Sequence, residues 1–81
     1  MAKRVIPTDK PLNNQVTDTT QFGDFIKYKR TQAGLSLEQA AQLCNINHLT
    51  LSKLEKGSEG VRLSTALEVA MMFGLSVSVD E

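Results

Sequence analysis

The sequence predicts an all-α domain closed by one short C-terminal strand, and three features carry that expectation. Between Leu35 and Gly57 the chain reads LSLEQAAQLCNINHLTLSKLEKG, two short amphipathic helices joined by a sharp turn at Asn45. Helical periodicity recurs on either side, over about Thr20–Ala33 and Leu63–Phe73. Only the end, Leu75-Ser76-Val77-Ser78-Val79, alternates with the period of two that marks a strand. With 81 residues there is one small domain, and a chain of that size buries only about 60–65% of its unfolded surface. A second subunit would be a ready source of further burial.

Taken in order, residues 1–19 are polar and carry Pro7, Pro11 and Asn13-Asn14, so they read as a flexible arm. Within it, Lys3-Arg4-Val5-Ile6 is open to three readings: a short strand, a basic arm, or disordered chain. The first helix takes Asp18 or Thr20 as its cap, Phe22, Phe25 and Ile26 as its inner stripe, and Gly34 as its stop. Lys27 and Arg30 form its basic flank.

The second helix opens on a capping box, Ser36 as N-cap with Gln39 three residues on. Leu37, Ala40, Ala41 and Cys44 recur along one face, and the two alanines allow another helix to cross close by. Asn45 stands where the chain reverses, because Asn tolerates the left-handed conformation better than other non-glycine residues. Asn47 then caps the third helix, Leu51 and Leu54 give its inner edge, and Gly57 ends it.

The fourth helix differs in kind. Leu63, Ala66, Leu67 and Ala70 make one apolar stripe, and Val69, Met72 and Phe73 make a second. A helix apolar on two sides needs two covers, the core and, most simply, a second copy of the chain. The strand after it cannot satisfy its own backbone. Pairing with its two-fold mate would do so, as would pairing with Val5-Ile6 of the same chain.

Composition narrows the chemistry. One cysteine permits no intramolecular disulfide and no cysteine-based zinc site, and Cys44 reads as a core residue. One histidine, no glycine-rich phosphate loop and no acid pair at helical spacing leave no catalytic site to build, so neither enzyme activity nor a cofactor or metal is expected. No apolar run approaches a signal sequence or the roughly 20 residues of a membrane span, so a cytoplasmic, nucleoid-associated protein is expected. Nine basic and nine acidic side chains give no net charge, which counts mildly against a nucleic-acid binder. Distribution counts for more: Lys53, Lys56 and Arg62 lie along and just after the third helix, while Asp9, Asp18, Asp80 and Glu81 fall toward the ends. A locally positive face on a neutral protein can hold DNA with few phosphate contacts.

Helix, tight turn and second helix is the layout of a helix-turn-helix that reads double-stranded DNA in the major groove. The face opposite Leu51 and Leu54 carries His48, Leu49, Ser52 and Lys53. Asn47 can cap its helix or contact adenine, and not easily both. His48 can donate to guanine, and an exposed Leu49 suits a thymine methyl. Thr50 and Ser52 can reach phosphates or pack locally, Lys53 and Lys56 supply charge to the backbone, and Ser36 begins a helix whose N-terminus favours a phosphate.

From about Phe22 to Val77 the chain resembles the lambda-repressor/Cro-like (XRE) helix-turn-helix family, with TLSKLEKG, Thr50–Gly57, similar to its recognition-helix ending. Gly74–Val79, GLSVSV, and the short length are most like HipB-type antitoxins. The resemblance implies a compact four- to five-helix DNA-binding domain whose short C-terminal strand pairs across a homodimer. It implies a repressor that pairs with a HipA-like kinase toxin, with a phage-type or stand-alone repressor as the alternative. It implies an ion pair between Arg30 and Glu55 joining the first and third helices, and DNA contacts at Ser36, His48, Leu49, Lys53 and Lys56. Leu37 stands where the family commonly has a DNA-contacting Gln, so that contact should be missing. Arg62 replaces a common Ser cap and can instead reach a phosphate. The expected organisation is an arm over 1–19, a DNA-binding domain over 20–74 and a dimerisation strand over 75–81. Val69, Met72, Phe73, Leu75, Val77 and Val79 are the expected dimer surface.

Overall fold

The computed structural model describes residues 4–81, so Lys3, the first residue of the arm's basic segment, lies outside the described residues. Four helices follow one another: α1 (Thr19–Gln32), α2 (Leu37–Cys44), α3 (His48–Glu55) and α4 (Leu63–Met72). This is the all-α architecture the sequence predicts. Both α1 and α2 pack on α3, and α4 packs on α2.

Local chemistry sets the helix limits. Of the two candidate caps for α1, Asp18 is the one in use, its carboxylate accepting the Gln21 amide at 2.8 Å. The capping box of α2 is complete: Ser36 Oγ accepts the Gln39 amide at 3.1 Å and Gln39 Oε1 accepts the Ser36 amide at 2.9 Å. All four helices stop in the same way. One or two residues past each helix, Gly34, Asn45, Gly57 or Gly74 takes a positive φ. Its amide and the next then return to last-turn carbonyls, as in Gly34 to Thr31 and Leu35 to Arg30. Asn45 does this at φ 56°, the only described non-glycine residue with positive φ.

The core is built from Ile26, Ala40, Ala41, Leu51, Leu54, Ala66, Val69 and Ala70. Four of these are alanine, so the helices meet nearly backbone to backbone. The closest approach is at Gly23 of α1, where a Cβ would fall on the carbonyl oxygens of Leu54 and Glu55. That approach turns α1 so that Gly23, Ile26 and Arg30 point inward and Phe25 does not join the core. The expected inner stripe of Phe22, Phe25 and Ile26 is corrected accordingly: Ile26 is fully buried, Phe22 rests on the edge of the core, and Phe25 is half-buried outside it.

The stripes of α4 are also redistributed. Leu63, expected in the core, is 72% exposed, whereas Val69, expected at a dimer surface, is fully buried. Val69 is therefore a core residue. Residue 69 sits between Ala66 and Ala70 on the face pressed against α2, while Leu63 lies at the helix's free first turn.

The C-terminal segment forms no strand in the single chain, and neither does Val5-Ile6. A strand requires a hydrogen-bonded neighbour, and among the described residues the backbone from 76 to 80 finds none. The arm is not left loose where the structure describes it. Its Thr8 amide donates to Thr31 Oγ1 at 3.0 Å, which places it against the C-terminal turn of α1.

Candidate nucleic-acid interface

Helix α3 divides cleanly into two sides. Leu51, Leu54 and Glu55 are buried, while His48, Leu49, Lys53 and Lys56 face solvent and Thr50 and Ser52 are half-buried between them. The spacing explains this, since residues 51, 54 and 55 share one face at three- and four-residue intervals. Leu49 is 60% exposed, an apolar side chain on an otherwise polar surface. Asn47 settles one open alternative. Its Oδ1 accepts the Leu49 amide at 2.8 Å, so the oxygen caps the helix while the amide nitrogen keeps both its protons to donate.

The electrostatics of this surface depend on one buried pair. Between Glu38 and Glu59 the only carboxylate is Glu55, and its side chain is 6% exposed. Arg30 grips it in a two-pronged contact, Nε to Oε2 at 2.6 Å and Nη2 to Oε1 at 2.9 Å. Arg30 Nη1 also donates to the Leu35 carbonyl at 2.8 Å, which joins α1, the turn before α2 and the end of α3 through one guanidinium. Such a bidentate pair fixes orientation more than it adds net stability. It also takes the one local negative charge out of play. The exposed stretch from Gln39 to Ser58 then carries lysine charge and no exposed carboxylate.

The remaining predicted contact residues, Ser36 and Arg62, lie at the starts of α2 and α4. Ser36 is half-buried, its oxygen engaged in the capping box and its hydroxyl proton free to donate outward. Leu37 is half-buried and packs against the core. Arg62 is exposed at the N-cap position of α4 and makes no side-chain cap, which leaves its guanidinium and the first amides of that helix open. Cys44 rests on the core, and burial raises its thiol above the usual cysteine pKa. Among the described residues no cluster of metal-ligating side chains occurs, and no helix is long and apolar enough to cross a membrane.

Of the expected dimer surface, Met72, Val77 and Val79 are exposed and Phe73 and Leu75 are half-buried. Met71, 75% exposed, and Leu63, 72% exposed, are further apolar side chains of α4 that face solvent. Gly23 supports the site from behind by letting α1 meet the end of α3, and an isolated glycine inside a helical pattern is the sequence sign of such close packing. Nothing in the sequence pointed to the Thr8–Thr31 contact, which pairs residues far apart in the chain.

Comparison with known proteins adds three findings. A helix-turn-helix family model matches residues 26–79. Among solved structures, chains in a HipA-HipB-O2-O3 complex and in a HipB-O4 20mer complex are each 22% identical, matching 85% of this chain and 97% of theirs with a TM-score of 0.73. A structure described as an MDT protein matches to the same extent. These likenesses establish a common fold. No curated protein matches significantly.

Proposed function

The chain belongs to the helix-turn-helix family, and on that premise we propose that it is a homodimeric, sequence-specific DNA-binding repressor. The observation that carries this reading is the outward face of α3, where His48, Leu49, Lys53 and Lys56 are exposed and the one nearby carboxylate is buried against Arg30. In this reading α3 enters the major groove, with His48, Leu49 and the Asn47 amide nearest the base edges. Thr50, Ser52, Lys53 and Lys56 work toward the phosphates, with Ser36 and Arg62 as outlying phosphate contacts. Two copies read half-sites about one helical turn apart.

The finer reading is an antitoxin that also holds a HipA-like kinase toxin. Its support is the shared fold with HipB, a chain of which is held with HipA in one of the similar structures, together with the resemblance of the GLSVSV ending. Footprinting with promoter DNA from the native locus tests the first claim: two protected half-sites per complex are expected, and protection of one half-site by a single chain overturns it. Co-purification from the native host tests the second. A stable kinase-sized partner supports the antitoxin, and operator binding without one leaves a stand-alone repressor.

A further inference from the structure

Outside the span matched by the family lies an N-terminal strap, fixed at both ends to α1. At one end the Thr8 amide donates to Thr31 Oγ1 at 3.0 Å and Gln32 Nε2 reaches the Thr8 carbonyl at 3.4 Å. At the other, the Thr17 amide and hydroxyl both donate to Gln21 Oε1, at 2.6 and 3.0 Å. Between these anchors the strap forms one wall of a groove of about 890 Å³. The tail from Gly74 to Asp80 forms the other wall, and Phe22, Phe25 and Tyr28 of α1 form the floor. The chain has three Phe and one Tyr, so all its aromatic side chains but Phe73 line this groove. Both walls are under-used. Among the described residues the backbone makes no hydrogen bond to other backbone from 9 to 14 or from 76 to 80.

We propose that the groove receives the tail of a second copy of this chain, so that each protomer's strap covers the outer edge of its partner's tail. This rests on the homodimer reading above and adds a role for residues 8–17. The strap cannot close the groove itself, because it is tethered at both ends. A segment entering between two extended walls needs backbone groups for each edge, and strands stand about 4.8 Å apart. It also needs an apolar side for the aromatic floor. The tail meets both needs: Leu75, Val77 and Val79 fall on one side and Ser76 and Ser78 on the other. Its end carries Asp80 and Glu81, and the groove carries Lys10 and Lys29 against a single carboxylate of its own, Asp80. A two-fold axis beside one tail sets its mate antiparallel along the free edge. The order strap, partner tail, tail, partner strap then leaves no tail edge open to further pairing.

The test uses three chains, the full protein, one lacking residues 1–16 and the Lys10→Glu, Lys29→Glu variant, followed by sedimentation equilibrium and amide hydrogen exchange. For the full chain, protection of residues 9–16 and 76–80 should appear together as concentration rises through the dimer constant. Removing the strap should weaken the dimer at least tenfold with helical content unchanged, and the charge reversal should weaken it several-fold at low salt. A dimer of unchanged strength in both variants overturns the strap's role while the homodimer reading stands. A full chain that stays monomeric at every concentration overturns both.

Discussion

Leu49 keeps an apolar side chain in water on the first turn of α3, with its own amide held by Asn47. If it meets a thymine methyl, Leu49→Ala should lose roughly 1–3 kcal/mol of discrimination at one base pair. Binding measured across a library of single-base operator substitutions checks this, and uniform loss at every position would rule the role out. Lys53→Ala or Lys56→Ala should behave differently, weakening binding to all sequences and flattening the salt dependence by about one phosphate contact. Glu55 is the reverse case, a charge whose importance lies in being hidden. Glu55→Ala leaves Arg30 buried without its partner and should cost about 3–5 kcal/mol in a urea titration. Cys44, its thiol raised by burial, holds less thiolate at a given pH than a free cysteine. Its reaction with a disulfide reagent at pH 8 should be correspondingly slow in the folded protein and rise on unfolding.

At the scale of the helix, caps and stops decide where each element lies, and these were legible because they are local. Ser36 with Gln39, Asn45, Asn47 and Gly57 each act on amides or carbonyls within a few residues, so their spacing alone placed α2 and α3. The inward face of α1 was not legible in this way. Phe22, Phe25 and Ile26 look like one stripe, but the partner that turns the helix is the α3 backbone meeting Gly23, a contact between segments some thirty residues apart. Gly23→Ala therefore tests the tertiary argument. Its Cβ cannot be accommodated without parting α1 from α3, and the expected loss is roughly 1–3 kcal/mol, against the small gain that alanine brings to a solvent-facing helix position.

For the whole molecule, α4 and the tail contribute five of the exposed large apolar side chains. Leu63, Met71 and Met72 of α4 are exposed, as are Val77 and Val79 of the tail. Val69 and Met72, read alike from the sequence, should separate by experiment. Val69→Ala opens a cavity in the core and should lower stability by roughly 2 kcal/mol at any protein concentration. Met72→Ser should leave the isolated fold almost as stable and instead raise the dimer dissociation constant. Thermal unfolding at several concentrations distinguishes them, because only association makes the midpoint concentration-dependent.

The amino-acid order alone determined the helix count, the capping and turning at Ser36, Asn45 and Asn47, and the polar face of α3, since each follows from interactions within one or two turns. Three-dimensional packing decided the rest: that Val69 turns inward and Leu63 outward, that Gly23 marks the α1–α3 crossing, and that Thr8 straps the arm to α1. Those outcomes depend on which distant segments meet. A periodic pattern states that a face is apolar, but only the assembled chain supplies the surface that covers it.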